Sequence, residues 1–151
     1  MTIGWIFNGV FFEDKHIPEG AVGFIYHMST IINGKSVAYI GKKNFYANTK
    51  KKLAKKDLPQ DKRKKKYIRV SKLAYNDYYS SNDILKQAHK DGLYIKREIL
   101  RICYSKAELT YQEVKYQFMY GVLEDDLYLN GNILGRFYKQ KQDDNRTRSN
   151  I

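Results

Sequence analysis

Two tyrosines, Tyr26 and Tyr39, stand in two short strand-like stretches, Gly23-Phe24-Ile25-Tyr26 and Ala38-Tyr39-Ile40-Gly41-Lys42-Lys43, with Asn33-Gly34-Lys35 supplying a turn between them. Strands joined by so short a turn lie side by side, so the two phenols converge on one spot. Lysines begin immediately afterwards. Phenols beside a dense positive field suit chemistry on a phosphate backbone.

Other chemistries lack their residues. His16, His27 and His89 have no ligand spacing, which argues against a zinc centre. Gly41-Lys42-Lys43 lacks the upstream glycine of a Walker loop, and no Gly-x-Ser-x-Gly elbow occurs. A lone cysteine, Cys103, rules out an internal disulfide, and its apolar surroundings Ile99-Leu100-Arg101-Ile102 mark it as a buried, inert thiol. One carboxylate remains of interest, Glu113 in Thr110-Tyr111-Gln112-Glu113-Val114-Lys115. Two readings of it stand side by side: a surface acid paired with Lys115 or Gln117, or a ligand for magnesium, which keeps several waters and is often held by one or two carboxylates plus phosphate oxygens.

The elements that must position these groups follow from local pattern. Asn8-Gly9 makes Ile3–Phe12 a strand or hairpin. Residues 21–30 and 36–40 form the tyrosine hairpin. Ser81-Asn82-Asp83 caps a helix running to about Lys90, which Asp91-Gly92 ends. Tyr94–Tyr104 reads as a third strand. Ser105, with Glu108 three residues on, opens a second helix to Tyr120, lined by Leu109, Tyr116 and Met119 or Tyr120, with Val114 and Phe118 extending the stripe. Leu127–Tyr138 is a short closing segment. The expected architecture is one α+β domain over residues 1–140, a small, largely antiparallel three-stranded sheet flanked by helices, with an N-terminal hairpin and a disordered tail at 141–151.

The formal net charge is +12. Residues 42–72 hold fourteen Lys/Arg and two acids, whereas the remainder holds fourteen of each, so one segment carries the whole excess. Such a block repels itself and is settled by a polyanion; a solvated lysine loop is the alternative. It reads as a mobile loop, with a short helix near Lys50–Lys56. With 14 Tyr against 7 Phe, much of the apolar surface carries a hydroxyl able to stack on bases or bond phosphates. No apolar stretch approaches the roughly 20 residues of a spanning helix, and the uncharged start lacks a cleavage site for a signal peptide. No membrane partner is expected, and the cytoplasm is the expected compartment.

Phe24-Ile25-Tyr26, with twelve residues before Tyr39-Ile40-Gly41, resembles the paired signature of the GIY-YIG nucleases, the first glycine being displaced to Gly23. Tyr78-Tyr79-Ser80-Ser81, Lys96-Arg97-Glu98-Ile99-Leu100, Tyr111–Phe118 and Tyr128-Leu129-Asn130-Gly131-Asn132-Ile133 follow in the order of the phage-type, Seg-like homing endonuclease branch. The resemblance spans roughly Trp5 to Tyr138. It implies a magnesium-dependent DNA endonuclease (manganese substituting) that hydrolyses phosphodiester bonds of double-stranded DNA by a nick or double-strand break. It implies no small-molecule cofactor.

By this resemblance Tyr26 helps activate the attacking water, Tyr39 orients the phosphate or that water, and Glu113 holds the metal. Asn130 matches the family's late asparagine, with Asn132 close enough to compete. A phenol ordinarily titrates near about 10, so Tyr26 needs cationic neighbours that favour the phenolate; Lys42 and Lys43 are placed for that. The family's arginine after the second motif is missing from Asn44-Phe45-Tyr46-Ala47-Asn48-Thr49. Lys43, Arg63, Arg69 or Arg97 must replace it, with Lys43 and Arg97 favoured; a strand-end charge paired with Glu98 or Asp91 is the other reading of Arg97. The basic block then supplies phosphate contacts through Lys42, Lys62, Arg63, Lys64, Lys65, Lys66, Arg69 and Lys72. A phage homing enzyme in the host cytoplasm, monomer or homodimer, is the leading expectation. A restriction or repair endonuclease of the same fold and a non-catalytic DNA-binding module are the alternatives.

Overall fold

The computed structural model describes residues 4–52, 55 and 67–140, with the backbone alone at 51 and 67–69. Lys62, Arg63, Lys64, Lys65, Lys66 and the 141–151 segment lie outside the described residues.

Two left-handed turns set the register of the first half. Asn8 (φ 52°) and Gly9 (φ 78°) join β1 (Ile6–Phe7) to β2 (Val10–Phe11), and Asn33 (φ 50°) and Gly34 (φ 78°) join β3 (Gly23–Ile32) to β4 (Lys35–Asn44). Positive φ at both central positions is what a two-residue hairpin turn demands, and Asn-Gly accepts it at least cost. After Phe45 the chain forms β5 (Tyr46–Lys52), which pairs antiparallel with β6 (Tyr67–Leu73) in a separate two-stranded sheet. The expected basic loop with a helix near Lys50–Lys56 is corrected at both ends: its described flanks are strands. Thr49, Val70 and the aromatic residues Tyr46 and Tyr67 favour a pleated surface, and extension separates neighbouring lysines.

Helix α1 (Asp83–Lys90) opens where Asn82 Oδ1 accepts from the N–H groups of Ile84 and Leu85, and Gly92 (φ 82°) follows its end. Strand β7 (Lys96–Cys103) leads to α2 (Lys106–Met119), whose cap Ser105 Oγ accepts from Glu108 N–H. The Glu108 carboxylate returns to Tyr104 N–H, one residue before the expected partner. The chain closes with the hairpin β8 (Asn132–Ile133) and β9 (Phe137–Tyr138).

The central sheet has five strands in the order β2-β1-β7-β3-β4 and is mixed, since β1 runs parallel to β7. This corrects the three-stranded antiparallel expectation. The N-terminal hairpin joins the sheet because Trp5 is fully buried beside Phe24 and Tyr26, its indole N–H donating to Tyr75 O at 2.9 Å. Removing so large an apolar surface from water fixes the hairpin against β7.

Strand β3 is covered on both faces, which is why it reads as an apolar run rather than an alternation. Phe24, Tyr26 and Met28 join a cluster with Trp5, Phe45, Tyr75 and Leu85, while Ile25, Ala38, Ile40 and Cys103 pack with Leu109, Val122 and Ile133 beside α2. Cys103 is buried, as expected, and burial pushes its thiol up to about 11. The α2 stripe needs correction. Leu109, Gln112 and Gln117 point inward, whereas Phe118 and Met119 are exposed. The helix packs over β4, β3 and β7, and at the open edge of β4 the inward Gln117 amide donates to Ile40 O.

Candidate active site

Tyr26 lies opposite Gly41, and Tyr39 opposite Met28, in the β3–β4 register. The phenols are therefore diagonal neighbours on one face, with ring centroids 6.3 Å apart. Gly41 leaves the room for this: a Cβ there would stand 2.5 Å from Tyr26 Oη. Tyr39 is half-buried, but Tyr26 is only 1 % exposed. Its Oη is 3.2 Å from Tyr78 Oη and 3.3 Å from Ser80 Oγ. Burial, reinforced by the neighbouring Tyr78, pushes the Tyr26 phenol far above its ordinary range, and the Ser80 hydrogen bond only partly opposes this.

Burial thus works against the Tyr26 phenolate that Lys42 and Lys43 were expected to favour. The Lys42 side chain belongs to the opposite face, donating to Thr110 Oγ1 at 3.1 Å. Lys43 Nζ lies 4.5 Å from the ring centroid of the half-buried Tyr78.

A loop over residues 76–81 forms the second wall, and Arg97 holds it. The side chain is 2 % exposed, donating to the carbonyls of Asn76 (2.7 Å) and Tyr78 (3.0 Å) between the rings of Trp5 and Tyr79. Tyr79 stacks in turn on His89, with centroids 3.6 Å apart. A guanidinium engaged in this way is a clamp on the loop rather than an open phosphate clamp. Glu98, one expected partner, faces Lys96 at 3.7 Å, and Asp91, the other, accepts from Gln87. Ser80 has φ 79°, a conformation rare outside glycine. That backbone turns its hydroxyl inward to accept from Asn82 N–H and to meet Tyr26.

The open edge of β4 is closed residue by residue. Ala38 exchanges backbone hydrogen bonds with Leu127 and Leu129. Asn130, 2 % exposed, takes the next position with both amide atoms: Oδ1 accepts from Ile40 N–H at 3.1 Å and Nδ2 donates to Ile40 O at 2.8 Å. Gln117 Nε2 donates to the same carbonyl at 3.0 Å. Lys42 N–H is bound by the Glu113 carboxylate. These side chains satisfy the groups an edge strand would otherwise expose. Asn132 has a separate task, accepting from Gly135 N–H in the β8–β9 turn.

Of the two phenols, Tyr39 feels the charge of Glu113 at this edge. Lys42 Nζ, not Lys115 or Gln117, is the carboxylate's charged neighbour, at 4.0 Å. Burial raises the Glu113 pKa, and the Lys42 ammonium and backbone N–H pull it down. Tyr39 is raised mainly by burial; its hydrogen bond with Ser81 opposes that, and the Glu113 charge adds to it. Among the described residues no three His, Cys, Asp or Glu side chains cluster. A lone carboxylate fits a hard cation that retains most of its waters, not a protein-only cage.

Of the expected DNA contacts, Lys42 is engaged as above, Lys72 is exposed on β6, and Arg69 is paired by register with Lys50. In the sequence Tyr78 and Ser80 stand only within a family block and Gln117 only as a possible partner of Glu113, none with a role at the site. The Tyr78-Tyr79-Ser80-Ser81 run marks hydroxyls, but only the positive φ at Ser80 decides which turn inward.

The family described as "Putative endonuclease segE, GIY-YIG domain" matches residues 5–133. The chain belongs to this GIY-YIG endonuclease family. No curated protein and no solved structure matches it. Among the described residues, no helix is long and apolar enough to cross a membrane.

Proposed function

From its membership of the GIY-YIG endonucleases, we propose that this protein is a magnesium-dependent endonuclease that hydrolyses phosphodiester bonds in double-stranded DNA, and that it serves as a phage homing enzyme in the host cytoplasm. The observation that carries the chemistry is the convergence of Tyr26, Tyr39, Tyr78 and Ser80, with Tyr26 filling the glycine gap at Gly41 and Tyr39 in the field of the Glu113 carboxylate.

Hydrolysis needs a phosphate held in line with a water and relief of the charge that gathers on the phosphoryl oxygens. Tyr39, half-buried at the edge, offers a neutral phenol to orient the scissile phosphate or the water. Tyr78 offers a second hydroxyl beside it. Tyr26 is too buried to be a free base; it fixes the direction of the Tyr78 hydroxyl from below. Lys43, over the Tyr78 ring, is the cation available to offset phosphoryl charge in place of the family's arginine. Arg97 and Asn130 are positioning residues, one holding the 76–81 loop and the other the backbone between Tyr39 and Gly41. Glu113 would hold magnesium, with manganese able to replace it; when bound, the ion supplies Lewis-acid stabilisation of phosphate oxygens and lowers the pKa of coordinated water.

The test is conversion of supercoiled plasmid to open or linear forms with and without magnesium. Glu113→Gln is expected to abolish cutting while leaving low-salt DNA affinity within about twofold of the parent. Cutting by the variant would overturn the assignment of Glu113.

A further inference from the structure

The β5–β6 ribbon has a composition and a geometry that the hydrolytic site does not use. Its fourteen residues include Lys50, Lys51, Lys52, Arg69 and Lys72 and no acid. Every described side chain on it, from Tyr46 to Lys50, at Lys52 and from Val70 to Leu73, is exposed. A two-stranded ribbon with neither face covered is marginal in water, and a single-sign charge on both strands adds repulsion. Both costs are relieved by an anionic partner that encloses it.

The base of the ribbon, by contrast, is fixed. Phe45 is fully buried against Phe24 and Tyr75, with ring centroids 4.9 and 5.2 Å away. Its N–H donates to Val22 O and its carbonyl accepts from Ala74 N–H. The ribbon is therefore anchored at its base to the end of β4, beginning three residues after Lys43.

Alternation gives its two faces different chemistry. Tyr46, Asn48, Lys50 and Lys52 share one face, and the register sets Ser71 opposite Asn48 on it. Ala47, Thr49, Val70 and Lys72 occupy the other. An amide and a hydroxyl opposed, with Tyr46 and Leu73 on one side and Lys50 on the other, form a hydrogen-bonding surface beside a cation. Asn pairs two-pronged with adenine in the major groove, Lys with guanine, and Ser with either.

Resting on the reading of this protein as a DNA endonuclease, we infer that the β5–β6 ribbon enters the major groove of the substrate with its Asn48–Ser71 face toward the bases, and so selects where the enzyme cuts. The dimensions agree. The major groove is about 12 Å wide and admits a two-stranded ribbon. Seven residues per strand extend about 23 Å at roughly 3.3 Å each, the length of about six or seven base pairs at 3.4 Å per step. Because Phe45 anchors the base of the ribbon beside the end of β4, the bases it contacts lie at an offset from the phosphate at Tyr39 and Lys43 that the enclosing groove fixes.

Binding of the full-length protein to duplex DNA in EDTA reads this without cleavage. Methyl green, a major-groove ligand, is expected to compete, and netropsin, a minor-groove ligand, is not. Lys50→Ala/Lys52→Ala should reduce the slope of log affinity against log salt by about 1.8, two phosphate contacts at about 0.9 each. Asn48→Ala/Ser71→Ala should leave bulk affinity within about twofold but flatten the preference among bound sequences selected from a random pool. Displacement by netropsin alone overturns the groove assignment. Unchanged slope and selection in both variants overturns the role of the ribbon while leaving the nuclease reading intact. Failure to bind duplex DNA at all overturns both.

Discussion

Gly41 faces Tyr26 across the β3–β4 pair so closely that a single added carbon would stand 2.5 Å from the phenolic oxygen and 2.7 Å from the ring carbon that bears it. The glycine of the second motif is thus a steric requirement of the tyrosine of the first. Gly41→Ala should force the phenol away from Tyr78 and Ser80. Overpacking of this kind costs about 1–3 kcal/mol, and each kcal/mol lowers the melting temperature of a chain this size by about 2–4 °C. Plasmid cleavage should fall with the melting point while DNA affinity holds. A variant with parental stability and rate would show that Tyr26 does not need the gap.

Asn130 takes the place of a sixth strand at one residue. In Asn130→Ala the Ile40 carbonyl retains Gln117, but the Ile40 N–H loses its acceptor. A buried unsatisfied donor costs about 1–3 kcal/mol. Stability and turnover should therefore drop together, with the Michaelis constant for DNA little changed. Loss of activity at full stability would instead point to direct contact between Asn130 and the phosphate.

How much of this was legible depends on whether the cause was local. Asn8-Gly9 and Asn33-Gly34 specify their turns through φ alone, and Ser105 and Asn82 specify their caps, so those boundaries could be read directly. The two phenols could be placed on one face because the hairpin fixes their register. Tertiary causes were out of reach. The parallel docking of β1 on β7 depends on the burial of Trp5, and the inward amide of Gln117 depends on an edge that exists only once the sheet has formed. Arg97 illustrates the limit. Its charge suggested a phosphate, whereas its surroundings supply two carbonyls and two aromatic rings.

Glu113 links activity to pH through a shift whose sign can be worked out. Burial raises its pKa, so the folded protein retains a proton at pH values where the unfolded chain has lost it. This group therefore favours the folded state most below its unfolded pKa, and that contribution is lost as pH rises through the raised folded value. Metal binding requires the carboxylate, so magnesium-supported cleavage should fail on the acid side at a pH above the ordinary glutamate range. Lys42→Met removes the ammonium that pulls the value down. The acid limb of the rate profile should then move to higher pH, and an unmoved or lowered limb would contradict the pairing.

The relation between Tyr26 and Tyr78 yields the sharpest kinetic expectation. Their hydroxyl oxygens are 3.2 Å apart, yet only Tyr78 is half-exposed and overlain by Lys43. If Tyr78 presents the hydroxyl and Tyr26 fixes its direction, Tyr78→Phe removes the contact outright and Tyr26→Phe merely loosens it. Loss of one aimed donor typically costs about a hundredfold or more in turnover, so Tyr78→Phe should fall by that order and Tyr26→Phe by less. Residues that act as a unit are not additive, and the double variant should be no slower than Tyr78→Phe alone. Single-turnover cleavage at saturating protein measures all three without interference from binding. Multiplicative losses, or a larger loss for Tyr26→Phe, would mean that the buried phenol reaches the reacting groups by itself and that the loop must open for it to do so.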